Sequence, residues 1–435
     1  MICSIATVFP ELYPPFFNTG IIKRAIQKNV LSFDTHSFFE YADAKERIDA
    51  PTFGHGPGML IKPEIVARFI SSQEEKHGRS VRIFFSPHGT LLDQKLLGKI
   101  VERINQNTTQ HVALVAARYE GIDARAEEEY ADFIISLGQF VLMGGDIPAL
   151  AFLEGITRLM PDVLGNIASH EQDSFSGPFT DYPEFTQPVV WHGKSVPEVI
   201  RSGNHEAMQK WRKTQAIERT VHNHFSWLRH QPLSIEEKKS VREKIPAHYV
   251  ALLHNDIIVD LDGRVGNTSI TSTDIHDIAR SSKTFAIKHY FLVSDLYDQQ
   301  KIAENLLHFW HEGFGVAYNH GRHEALKQTS VIATLDDTIK KIEELEGKTP
   351  LLVATSARDT QHEAKIISYN DQSILWQSKR PILLLFGTGK GMANMVLDRA
   401  DYILEPVNGL SEFNHLSVRS AVAIVLDRLL GLHGQ

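Results

Sequence analysis

Short apolar runs, walled in by glycine, proline or polar residues and alternating with stretches of helical period, constrain this chain more than any other feature. Ile2–Val8, Val81–Phe85, His111–Ala116 and Phe133–Ile135 are too short for buried helices and read as buried strands. Lys62–Glu74 and Asp93–Ile104 lie between them with helical spacing, the second opened by an acidic residue that suits a helix start. Such alternation predicts an α/β domain with a parallel sheet, ending near residue 165. The pattern resumes near Pro246, with strands expected at His248–Asp260, Ala286–Leu292, Thr329–Ala333, Pro350–Ala354 and Ile382–Phe386. Helices are expected there at Lys301–Glu312 and Leu335–Leu345. The intervening stretch is rich in Ser, Gly, Pro, Asp and Thr from Ser169 to Pro188, then becomes helical and basic. Three blocks result, 1–165, 166–245 and 246–435, as a chain of 435 residues requires more than one core.

Charge and cysteine content narrow the setting. The net charge of −8 argues mildly against nucleic acid, but phosphate binding follows local charge. Residues 191–245 hold eleven Lys and Arg against six Glu, a local excess of +5 in an acidic chain. A solvated helix face and an RNA surface both account for it at this point. A single cysteine, Cys3, fits a reducing compartment, and Pro10 and Glu11 break the opening apolar run, so it reads as a strand and not a leader. No run of about 18 apolar residues exists to span a membrane. A cytoplasmic location is expected.

Glycine gathers at Gly54–Met59, Ser86–Gly89 and Leu137–Ala149, each beside a strand, where it permits positive φ and close approach of backbone or ligand. None fits a dinucleotide fingerprint, since no G-x-G-x-x-G follows a first strand. In order, Gly54–Met59, Ser86–Gly89, Ala117-Arg-Tyr-Glu-Gly-Ile-Asp123, Leu137–Ala149, Val163-Leu-Gly165, Asp173-Ser-Phe175 and Ser202-Gly-Asn-His205 followed by Trp211-Arg212 resemble the bacterial tRNA (guanine-N1)-methyltransferase family from Met1 to about residue 220. The resemblance implies a SPOUT-type trefoil-knot fold, a homodimer, S-adenosyl-L-methionine as methyl donor, and tRNA as substrate, methylated on the guanosine just 3′ of the anticodon.

The resemblance also assigns residues. The donor site is implied at Ser86, Pro87, Ala117, Tyr119, Glu120, Gly121, Leu137, Gly138, Gln139, Phe140, Val141, Leu142, Gly144, Gly145 and Pro148. In it, backbone groups read adenine, glycines give clearance, and Leu137, Val141, Leu142 and Pro148 supply apolar walls. Asp173 stands at the family's general base, which takes the N1 proton, and Arg158 at the group that stabilises charge on guanine O6. Glu120 is implied to help hold magnesium or the donor's charged end. Gly58, Met59, His205, Trp211 and Arg212 fall on the tRNA side. The chain departs from the family at Ala116-Ala117, where Cys-Gly is usual, and at Gln139, where Asp is usual. Both departures bear on donor affinity.

In the third block, Phe386-Gly-Thr-Gly-Lys-Gly-Met392 suggests a phosphate loop but fails it. Leu384 stands where the Walker pattern needs glycine, and Gly391 where it needs Ser or Thr. With Tyr402–Gly409 and Leu416–Leu430, it resembles the closing motifs of a second SPOUT RNA methyltransferase family. That resemblance implies donor contacts at Thr355, Gly387, Gly389, Pro406, Gly409 and Leu416, with Arg358, Asn267 and Arg264 on the substrate side. Arg264 also fits a plain hairpin turn. The fold expected is thus α/β, two SPOUT-type trefoil-knot domains with parallel sheets joined by a small basic helical segment. The second domain is either an RNA methyltransferase or a silent RNA-binding or dimerisation module.

Overall fold

Every residue of His111–Ala116 is buried, which a strand achieves only in the middle of a sheet covered on both faces. In the computed structural model, which describes residues 1–163, 173–358 and 365–434, it lies at the centre of a five-stranded sheet. The order is Ser32–Ser37, Ile2–Thr7, His111–Ala116, Ser80–Leu91 and Phe133–Ser136, all parallel. Alternation decides the two cores. Val112 and Leu114 pack with Leu97, Ile100 and Ile104 of the helix Gln94–Gln106 and with Phe152 and Ile156 of the helix Asp146–Leu159. Ala113 and Val115 face Ile65, Val66 and Phe69 of the helix Pro63–His77. Asp93 caps its helix as its sequence position suggested, accepting from the Leu96 amide at 2.7 Å. These elements belong to one compact unit, Met1–Gly177.

The second unit, Pro178–Gln435, has a seven-stranded parallel sheet. Its order is Thr329–Ile332, His289–Val293, His248–Leu253, Ile382–Gly387, Leu351–Thr355, Tyr402–Leu404 and Ile366–Ile367. The expected strand His248–Asp260 is shorter, because the chain turns after Leu253 and Asp256 adopts φ +56°. Beyond the turn, Ile257–Ile258 pairs with Val265–Gly266 in a small hairpin, and Arg264 sits in its loop. The basic segment is built onto this unit. Ile217 and Val221 of the helix His205–Asn223, Phe225, Leu228 and Val241 join Val250, Leu252 and Trp376 in one core. Leu164 and Gly165 of the expected Val163–Gly165 motif, and Ser169–Gln172, lie outside the described residues. No helix among the described residues is long and apolar enough to cross a membrane.

Candidate active sites

In the first unit the expected donor loops meet at the carboxyl ends of the strands. Ser80–Leu91 shifts register between Phe85 and Thr90, so Ser86–Gly89 bulges out of the ladder. A Cβ on Gly89 would lie 2.6 Å from the Ile134 carbonyl oxygen, so the bulge can pass the neighbouring strand only as glycine. Ser86 Oγ lies 2.6 Å from His88 Nδ1, and His88 Nε2 lies 3.3 Å from Glu127, whose pKa burial raises against the pull of His88.

The loops 117–121 and 137–145 are tied by the Gly145 amide donating to the Ala117 carbonyl at 2.7 Å. Tyr119 is left-handed (φ +60°), and the Glu120 amide donates to the Met59 carbonyl at 3.0 Å. A Cβ on Gly58 would fall 2.4 Å from Glu120 Cγ, so Gly58, Met59 and Glu120 form one cluster. The clearance at the glycines of these loops is taken up by the chain itself: Phe140 at Gly138, Arg118 at Gly144, and the Ala116–Ala117 backbone at Gly145. Pro148 is buried and Leu137 half-buried, whereas Val141 is 85% and Met143 89% exposed, with Gln139, Phe140 and Leu142 also exposed.

Sequence reasoning missed what lies beneath these loops. Asp146, wholly buried, accepts from Thr7 Oγ1 at 2.5 Å, from Tyr13 Oη at 3.0 Å and from Arg118 Nε at 2.7 Å. Burial, then the neighbouring Asp146, pushes the Tyr13 phenol far up, so it stays a donor. The only hint in the sequence was an acidic residue opening a helix directly after Gly144-Gly145.

Arg158 and Asp173 do come together. The guanidinium donates from Nε at 2.9 Å and from Nη2 at 2.8 and 2.7 Å to the two carboxylate oxygens. Such a fork is the strong, geometrically specific form of this pair. Among the described residues no three His, Cys, Asp or Glu side chains gather as a metal site.

In the second unit a cavity of about 830 Å³ opens where the sheet meets the last helix, Val418–Leu430. Thr355, Gly387, Gly389 and Leu416 line it, as does Arg358, while Glu405 and Val407 line it in place of Pro406, and Gly409 is absent from its wall. Gly389 (φ +57°) lets the loop pass Ile257 and Ile258, and the Lys390 amide donates to the Ile258 carbonyl at 3.0 Å, which docks the hairpin over the cavity. Thr268 and Thr388 share a short hydroxyl–hydroxyl bond in its wall, backed by His254 Nδ1 at 3.1 Å from Thr268 Oγ1. Asn267 donates to Asp295 at 2.8 Å, and Arg264 pairs with Asp260.

Of the expected tRNA side, His205 is exposed. Trp211 is half-buried 6.1 Å from the Phe185 ring, and Arg212 stacks 4.7 Å from the centroid of Tyr182.

Comparison with known proteins finds two family models along the chain, divided at a different place from the two structural units. Residues 1–230 match the family model of tRNA (Guanine-1)-methyltransferase TrmD, and residues 247–431 that of a SAM-dependent RNA methyltransferase. A tRNA (guanine-N(1)-)-methyltransferase of Oleidesulfovibrio alaskensis is 34% identical, covering 98% of this chain and 99% of the relative. One of Nitratidesulfovibrio vulgaris is 33% identical, covering 99% of each. The crystal structure of tRNA (m1G37) methyltransferase from Aquifex aeolicus is 30% identical over 51% of this chain and 91% of that one, with a TM-score of 0.42. The chain therefore belongs to the tRNA (guanine-N1)-methyltransferase family, S-adenosyl-L-methionine-dependent enzymes of SPOUT type, and carries a second SAM-dependent RNA methyltransferase domain behind the first.

Proposed function

We propose that the chain methylates N1 of the guanosine just 3′ of the tRNA anticodon, in a site that two copies build together. What supports the shared site is a distance within one helix. Asp146, under the donor loops, opens the helix Asp146–Leu159, and Arg158 nearly closes it. At about 1.5 Å of rise per residue the two ends stand roughly 18 Å apart. One chain thus keeps its Arg158–Asp173 pair far from its own donor loops, and a second copy must bring its pair to them. The exposed Phe140, Val141, Met143 and Ile147 beside those loops form the kind of apolar patch that a protein partner covers.

S-adenosyl-L-methionine, held by the loops 86–89, 117–121 and 137–145, supplies an electrophilic methyl group. Asp173 accepts the proton from guanine N1. Arg158 then donates to O6 as negative charge develops there, with planar donors already aimed by its grip on Asp173. Gly58, Met59, His205, Trp211 and Arg212, with the basic face of 191–245, engage the tRNA. In the second unit, Thr355, Gly387, Gly389 and Leu416, which line the cavity, belong to a second donor site. A cytoplasmic setting agrees with a lone, buried thiol at Cys3.

The test mixes a chain carrying Asp173→Ala with one carrying Gly144→Trp, after a tagged pull-down has shown that subunits exchange. Under sharing, each mixed dimer has one site holding both lesions and one holding neither, so activity returns toward half of the wild-type value. No return despite proven mixing refutes the shared site. Nucleoside mass spectrometry of the treated tRNA identifies the methylated atom. A titration finding two donor sites per chain supports the second site, whereas one site makes the second domain a silent module.

A further inference from the structure

We propose that Arg118 and Asp146 form a latch that sets the spacing of the two methyl-donor loops, making both positioning residues for the first reaction. The inference rests on the assignment of the donor to the loops 117–121 and 137–145.

Asp146 lies beyond the reach of any ligand, with no exposed surface. A carboxylate so placed is strongly destabilising unless it is paired and its oxygens are satisfied. Both conditions are met by Thr7, Tyr13 and Arg118, and by the helix N-terminus at which it stands. Thr7 and Tyr13 fix the carboxylate to the first strand and the turn after it. The third partner, Arg118, ties the carboxylate to the donor loops.

Arg118 is the second residue of one donor loop, and its side chain runs across to the other. Its Cδ occupies the space that a Gly144 Cβ would enter at 2.4 Å, and its Nη1 reaches the Met143 carbonyl at 3.4 Å. Phe9 covers the guanidinium, with the ring centroid 4.8 Å away. The arginine is therefore threaded between the loops and held at its Nε by a carboxylate that cannot move. The next residue, Tyr119, holds the left-handed conformation that most side chains avoid, so the loop needs an anchor to keep it there. Gly144 is glycine because Arg118 passes it, which gives that position of the loop a reason independent of the donor.

A latch of this kind acts on donor binding and leaves the chemical step alone. Arg118→Lys keeps the charge but loses the Nε–carboxylate bond and the reach to Met143. Arg118→Ala with Asp146→Asn removes both charges together, so neither is left buried alone. For both variants we expect KM for S-adenosylmethionine to rise about 10–100-fold, the scale on which ångström misplacement of a binding group acts. At saturating donor, kcat should change less than about threefold, and tRNA affinity should hold. Leu142→Glu, at the exposed loop tip, is the control for the donor assignment. If it raises the donor KM while both latch variants stay within twofold of the parent, the latch is overturned and the donor loops stand. If all three leave donor binding unchanged, the donor assignment falls and the latch with it. A lowered Tm with unchanged donor KM in the latch variants reduces the pair to a structural role and also overturns the proposal.

Discussion

Arg229→Met should destabilise the second unit by about 3–5 kcal/mol, the range for removing one partner of a buried charged contact. Arg229 is buried, and its guanidinium donates to the carbonyls of Gly431 at 3.1 Å, Arg428 at 2.8 Å and Asp427. These carbonyls lie at the end of the last helix, Val418–Leu430, and its C-cap Gly431; the Asp427 carbonyl also accepts from the Gly431 amide at 2.8 Å, and a cation is favoured there. Methionine keeps much of the apolar stem and removes all the donors, so the loss is electrostatic and not a packing defect. The five tryptophans, Trp191, Trp211, Trp227, Trp310 and Trp376, all lie in the second unit, so their fluorescence in urea reads that unit alone. With an m-value of about 2–3 kcal/mol/M, the midpoint should fall by roughly 1–2 M. The other end of the same helix lines the cavity through Val418, Arg419, Ala421 and Val425, so donor binding there should weaken as well. A loss below about 1 kcal/mol would refute the reasoning and mean that water satisfies those carbonyls.

Asp173→Ala should slow methyl transfer by roughly 10²–10⁴-fold with donor binding intact, measured by single-turnover transfer beside donor titration; near-normal turnover removes it from the mechanism. Neutralising Lys210, Arg212 and Lys213 together should weaken tRNA binding and flatten the slope of log affinity against log salt by roughly 2–3; an unchanged slope puts the RNA surface elsewhere. Burial holds His248 and His254 neutral, with pKa values lowered to about 4, so the native state refuses protons that the unfolded state takes up below about 6.5. Stability of the second unit should therefore be full above that pH and fall toward pH 4, by on the order of 3 kcal/mol per histidine. A His248→Gln chain with the same tryptophan-monitored pH profile would contradict this.

How legible the molecule was depends on how local each signal is. Strands buried on both faces, such as His111–Ala116 and Ile382–Gly387, announce themselves because every side chain is apolar. The edge strand Ser32–Ser37, with Phe33 as its one large apolar residue, gave no such signal, since its partners are on one side only. Glycine spacing picked out the loops that the family resemblance assigns to the donor, but a glycine says only that something approaches closely. At Gly144 it is Arg118, and at Gly387 it is Met392. Asp146 was invisible for the same reason: its partners Thr7, Tyr13 and Arg118 stand 139, 133 and 28 residues away in sequence.

The basic segment carries this lesson into function. The first family model ends at residue 230 and the second begins at 247, so sequence similarity suggests a cut between them. The helix His205–Asn223 argues otherwise. Its Ile217 and Val221 share a core with Val250, Leu252 and Trp376, while Lys210, Lys213 and Arg219 face outward. A fragment starting at 247 would expose that core and lose the Arg229 clamp on its last helix. A fragment ending at 177 keeps the loops proposed to hold the donor and Asp173 but lacks the surface proposed to hold tRNA. The two transferase domains are therefore not separable by truncation without removing the proposed RNA grip of one or the core of the other. Their activities have to be assigned by point substitutions in the full chain, Asp173→Ala for the first and cavity-wall changes such as Gly389→Val for the second.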